Sequence, residues 1–267
     1  MRAVVALLLV AGCGRVGFGE HADASASIDS NLTPIPPSLL PGCEVYLAMD
    51  EPTWSQGVID GCGHHPATAI DGASPVSDPE RGTVGKFVGG TSCVYIPDAP
   101  ELRGGSAVTV SAWVRPEQVT PDGYGIVSKR TNYMADAAYT VFVWASASGA
   151  GPVNHLYVDV DTENDRYEDP IDTLLNTWHQ VTMTYDGSRI PNERIAVYFD
   201  GAFRAFATET ASSIPVPEVP PPVAIGCLPI NGPAQSLVGK LDDVIIWSRA
   251  LPASEVTEWY DATVSAP

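Results

Sequence analysis

The chain has 267 residues, 45% of them hydrophobic, and carries 14 Lys plus Arg against 32 Asp plus Glu for a formal net charge of −18. Such a surface repels phosphate backbones, which argues against nucleic acid as a partner, and it repels anionic polysaccharide too unless calcium bridges the two. A neutral glycan or a basic protein surface stays open.

Residues 1–13 read as an export signal: Arg2 supplies the positive end, AVVALLLVAG the apolar run, and small residues lead directly into Cys13. A permanent bilayer helix needs about 20 apolar residues, so this run is processed rather than structural. The residues before Cys13 resemble a bacterial lipobox, which implies that Cys13 is lipidated and becomes the new N-terminus; an ordinary secretory signal cut near Gly12 is the alternative. With Gly14 rather than Asp next, the expected location is the bacterial outer membrane or cell surface, attached through the lipid anchor, or else a secreted or periplasmic state. Residues 14–41 are poor in large apolar side chains and end in NLTPIPPSLLP. They cannot bury enough surface to offset their ordering entropy, and read as a tether with a semi-rigid Pro-rich end.

Residues 42–263 fit one all-β domain. EVYLAMDE opens it as a strand, followed by a Gly-rich loop, GVIDGCGHHPAT. KFVGG and SCVYI are short strands, and in VTVSAWV the residues Val108, Val110, Ala112 and Val114 share one face while Thr109, Ser111 and Trp113 share the other. A tryptophan on the polar face predicts that this face is covered as well, by a second sheet about 10 Å away. YGIVSKR, YTVFVW and HLYVDV are further strands, with DTENDRYED as a solvated turn. Cys43, Cys62, Cys93 and Cys227 predict two disulfides with three pairings open, since none has the CxxC spacing that would favour zinc.

Next, Val181, Met183 and Tyr185 alternate with threonines up to Asp186-Gly187, and Ile195, Val197 and Phe199 alternate up to Asp200-Gly201. Asp-Gly supplies the positive φ angles of a type I′ turn, so residues 178–207 read as a three-stranded antiparallel meander. The proline-laden run at 211–222 reads as an exposed loop. VGKLDDVIIW is a strand, read with Leu241, Asp243, Ile245 and Trp247 on one side, and LPASEVTEWY gives one to two helical turns starting at Pro252.

WHQVTMTYDG, IAVYFDGAF and GKLDDVIIWSRALPASEV together resemble the laminin-G-like, concanavalin A-like jelly roll, over about Cys43 to Tyr260. The resemblance implies a two-sheet antiparallel sandwich with a short C-terminal helix. It also implies a structural calcium (Ca2+) held by Asp243 with Asp50 or Glu51 and the Asp60 loop; hydrogen bonding of Asp243 without metal is the alternative. Function in this superfamily ranges from sugar and protein binding to glycoside hydrolysis. The expectation is a lectin-like module that binds without turnover, with Tyr124, Tyr133 and Trp144 as candidate stacking aromatics; ordinary core or rim places for these three are the alternative. A protein-binding adhesion or scaffold module and a glycoside hydrolase are the alternatives. The acidic run from Asp159 to Asp169 fits neither a glucanase strand nor an EF-hand: the former needs Glu at 159 and 164, the latter Gly at 164 and Glu at 170, where the chain has Asp159, Asn164 and Pro170.

Overall fold

The computed structural model describes residues 35–63, 65–103, 105–118, 123–131, 137–144, 155–161, 163–170 (backbone only), 174–207, 215–230 and 235–264. Cys13, most of the expected tether and Tyr133 lie outside the described residues.

Two large antiparallel sheets face each other. The first contains β1 (Cys43–Leu47), β3 (Ser74–Asp78), β4 (Gly82–Val88), β6 (Ala107–Pro116), β11 (His179–Asp186), β12 (Ile195–Phe199), β13 (Ala202–Phe206) and β17 (Val238–Trp247). Its order is β13-β12-β11-β6-β17-β4-β3, with β1 also on β17. The second contains β2 (Thr68–Ile70), β5 (Cys93–Ile96), β7 (Tyr124–Arg130), β8 (Ala137–Trp144), β9 (His155–Val160), β10 (Glu163–Pro170) and β14 (Val223–Ile225). Its order is β10-β9-β8-β7-β14-β5-β2. A short pair, β15 (Cys227–Leu228) and β16 (Gln235–Ser236), completes the strands, and α1 (Ala253–Thr263) follows β17.

The alternation read from the sequence selects the core. Val108, Val110, Ala112 and Val114 of β6 and Val181, Met183 and Tyr185 of β11 pack inward against Val141, Val143, Leu156 and Val158 of the other sheet. The expected meander is present, and at its tight turn Asp200 and Gly201 adopt φ of 49° and 72°. Gly201 is required twice over: any Cβ there would lie 2.6 Å from Tyr260.

Three expectations need correction. Trp113 is covered by α1 rather than by the second sheet, donating from Nε1 to Thr263 Oγ1 at 2.8 Å. The helix has 11 residues, longer than the sequence suggested, and buries Val256, Trp259 and Thr263 as one stripe. The run after Val160 is a strand, β10, paired with β9, and not a solvated turn.

The fourth correction bears on the site. β4 pairs with β17 over Val238–Leu241, and β1 with the same edge over Leu47–Cys43 opposite Val244–Trp247. Between them lies Asp242-Asp243, where the β17–β6 register shifts and Asp243 takes φ of 46°. That irregularity reverses the alternation. Leu241 and Val244 therefore both face the main core, while Ile245 and Trp247 face the layer under α1.

Candidate functional site

The seam at Asp242-Asp243 gathers a buried ionic centre. Arg81, from the turn between β3 and β4, donates from Nε to Asp242 Oδ2 at 2.7 Å and from Nη2 to Asp243 Oδ2 at 2.6 Å. Its Nη1 donates to the Thr263 carbonyl at 3.2 Å, and its guanidinium lies 4.2 Å from the centre of the Trp113 ring and 5.6 Å from that of Trp178. Tyr46 Oη donates to Asp243 Oδ1 at 2.6 Å. Burial, joined by the charge of Asp243, pushes Asp242 well above the usual carboxylate range against the pull of Arg81. Burial also raises Asp243, which Arg81 and the Tyr46 hydroxyl oppose, and it raises the Tyr46 phenol.

The expected calcium ligands are therefore divided among other partners. Asp60 accepts from the backbone amides of Tyr46 and Cys62 at Oδ1 and of His65 at Oδ2, organising the loop after β1. Glu51 accepts from Ile59 N and Trp54 Nε1. Asp50 acts on Asp242 and Tyr46 through its charge. No cluster of three metal-ligating side chains occurs among the described residues. Calcium does not fit this donor set, because a permanent side-chain cation, Arg81, already holds Asp243.

The cysteines form two disulfides, Cys43–Cys62 and Cys93–Cys227. The first ties β1 to the Asp60 loop and the second ties β5 to β15.

Of the three expected stacking aromatics, Tyr124 is a core residue, 0% exposed, and cannot meet a ligand at the surface. Trp144 lies on the outer face of the seven-stranded sheet. Register makes this face a ladder across β8 and β9: Thr140 opposite Asp159, Phe142 opposite Tyr157, Trp144 opposite His155. Each rung is displaced by two residues along both strands, so all six share one face. The ladder is graded. At its inner end Arg130 and Asp159 form a fully buried ion pair. Phe142 and Tyr157 stack in the middle, centroids 5.1 Å apart at 24°. Trp144 and His155 are half-buried at the other end.

Burial raises Asp159 to about 6, with Arg130 pulling the other way. A hydrogen bond from the Thr140 side chain also opposes the rise, and His155 Nδ1 has no hydrogen-bond partner among the described residues. Asp159 is thus no surface carboxylate of a solvated turn, and the sequence reading missed its pairing with Arg130. Its only sequence signal was its place in the strand HLYVDV at the same parity as His155 and Tyr157.

The sequence profile described as "Laminin_G_3: Concanavalin A-like lectin/glucanases superfamily" matches residues 88–257. No curated protein matches the chain. Among solved structures, domain 4 of AbnA, a GH43 extracellular arabinanase from Geobacillus stearothermophilus in complex with arabinotriose, is similar at 18% identity, TM-score 0.56, over 83% of this chain and 98% of that one. The botulinum neurotoxin serotype D ligand binding domain in complex with N-acetylneuraminic acid is similar at 11% identity, TM-score 0.60, over 84% of this chain and 52% of that one. The binding domain of botulinum neurotoxin DC in complex with rat synaptotagmin II gives 11% identity, TM-score 0.58, over 83% and 52%. The chain spans about half the length of the toxin domains, and at these identities the likeness is one of fold.

Proposed function

The chain belongs to the concanavalin A-like lectin/glucanases superfamily, and from that premise we propose that it is a carbohydrate-binding module that contacts its glycan at the Trp144 end of the β8–β9 ladder, without turnover. The observation that carries this reading is the graded face itself. A half-exposed indole offers an apolar plane to a sugar ring, His155 Nδ1 beside it has no hydrogen-bond partner among the described residues, and the stacked rings and the Arg130–Asp159 pair behind hold both strands in place. Structurally similar domains bound to arabinotriose and to N-acetylneuraminic acid support the ligand class. For the absence of turnover, the support is chemical: hydrolysis needs two carboxylates flanking the bond, whereas Asp159 is the only carboxylate among the six ladder residues and is paired with Arg130.

The setting belongs to the same proposal: Cys13 carries a lipid, and residues 14–41 hold the domain away from the bacterial membrane. Metabolic labelling with an alkynyl fatty acid, lost on Cys13→Ser, tests it. A glycan array probed with the full chain tests the binding. Trp144→Ala is expected to weaken binding of the arrayed glycans while keeping the wild-type melting temperature within a few degrees; full retention of binding removes the proposed contact.

A second reading, recognition of an exported protein, is favoured by the similar domain solved with rat synaptotagmin II. Binding to cell-surface protein that survives enzymatic removal of glycans would select it.

A further inference from the structure

On the other sheet, a groove of about 400 Å³ runs between the β12–β13 hairpin and the segment Leu251–Ala253 that enters α1. Pockets of this volume are the size that holds small ligands. Its aromatic side is a chain of three rings: Tyr198 and Phe203 meet edge to face at 5.6 Å, and Phe203 and Phe206 at 5.1 Å. Tyr198 is buried, but Phe203 is 48% exposed. A lone exposed phenylalanine is ordinary; one that lines a cavity and is held by two neighbouring rings presents a fixed apolar surface to whatever enters.

The opposite rim is ionic and balanced. Asp186, Arg189, Glu193 and Arg194 all line the groove, two carboxylates against two guanidinium groups, in a chain whose net charge is −18. Arg189 reaches Asp186 at 3.5 Å and Glu193 at 4.0 Å, long contacts made by a side chain 52% exposed. Such distances leave guanidinium N–H groups for an incoming acceptor. Arg194 is nearly buried and donates from Nε to the Arg189 carbonyl at 3.2 Å, which fixes the loop that carries the rim.

These chemistries select a ligand class. A balanced rim gives no net field to attract an ion. It does place donor-only and acceptor-only groups side by side, and a sugar hydroxyl is both acceptor and donor, so neighbouring hydroxyls pair with Arg189 on one side and with Asp186 or Glu193 on the other. The C–H face of the ring then lies on Phe203. An apolar peptide would take the same four charges out of water without offering them any further hydrogen bond. We propose that this groove is a second glycan-binding site, for one or two rings of a neutral oligosaccharide. It lies on the opposite sheet from Trp144 and does not rest on the contact proposed there. Two sites on one chain make attachment to a polysaccharide bivalent, which raises avidity without new contacts.

Arabinotriose, maltotriose and cellotriose, titrated separately into the full chain by calorimetry and followed by NMR of labelled Phe and Trp, test the proposal. At least one should perturb Phe203, and Phe203→Ala and Arg189→Ala should each weaken that event about tenfold, the size of one lost stacking or charge-assisted contact. Both positions are half exposed, so the variants should fold, checked by an unchanged melting temperature. Binding that persists in Trp144→Ala but is lost in Phe203→Ala keeps the groove and refutes the Trp144 contact. Binding lost in Trp144→Ala and untouched by Phe203→Ala refutes the groove. Failure of all three sugars to perturb Phe203 also overturns it, as does a Phe-rich peptide that perturbs Phe203 when none of the sugars does.

Discussion

Replacing Arg81 by Met keeps a stem of similar length and removes the one cation between Asp242 and Asp243. Both carboxylates are almost fully buried, and the same guanidinium also bonds the Thr263 carbonyl near the end of α1. Removing one partner of a buried charge cluster costs about 3–5 kcal/mol. In a domain of this size each kcal/mol moves the melting temperature by about 2–4 °C, so a fall of about 10 °C is expected at neutral pH. The cost must also depend on pH. Asp242 and Asp243 already titrate above the usual range in the folded protein, and loss of Arg81 raises them further. Folded carboxylates with raised pKa bind protons before unfolded ones do, so their contribution is present at low pH and is lost as pH rises through the folded value. The gap between wild type and Arg81→Met should therefore shrink from pH 7 to pH 5. Urea titrations followed by tryptophan fluorescence read this directly, because Trp113 and Trp178 flank the guanidinium. Adding Asp242→Asn and Asp243→Asn to Arg81→Met should restore most of the stability. An Arg81→Met protein as stable as wild type, or a gap that does not change with pH, would refute the reasoning.

Asp159→Asn removes the buried carboxylate that pairs with Arg130 and should cost about 3–5 kcal/mol at pH 7. Because the folded Asp159 titrates near 6, above its unfolded value, wild-type stability from this group falls as pH rises from about 4 to about 6. Denaturant midpoints across that interval should lose this slope in the variant. Thr263→Val removes the acceptor shared by Trp113 Nε1 and Gln180 Nε2, and should cost about 2–4 kcal/mol, with faster amide exchange at the end of α1 as the second readout. Cys93→Ala/Cys227→Ala, which opens a span of 134 residues, should lose about 5 kcal/mol, and Cys43→Ala/Cys62→Ala, with a span of 19, about 3 kcal/mol. Equal losses in calorimetry would count against the chain-entropy account.

Much of the fold was legible because its signals are local. Alternation in 181–185 and in 195–199 marks strands without knowledge of anything else in the chain, and Asp200-Gly201 names its own turn through the φ angles it permits. Trp144's place on a strand was legible because YTVFVW has a clear period. Tyr124 takes the core alternative, since it pairs with Val143 on the inward side, a pairing that no local pattern announces. The acidic composition of 163–169 suggested solvent, yet its backbone pairs with β9, since the neighbouring strand and not the charge decides whether a segment joins a sheet.

What the sequence determined by itself was the architecture: two antiparallel sheets, a hairpin at 200–201, a closing helix, and membership of a jelly-roll family through runs near the C-terminus. Only the tertiary structure decided what the charged residues do. Arg81 lies 161 residues before Asp242 in the chain, and Arg130 lies 29 before Asp159. Periodicity encodes which face a side chain takes, because that depends on a few adjacent bonds. Which charge meets which depends on strand order and on one reversal of parity at Asp243, and these exist only once both sheets have formed.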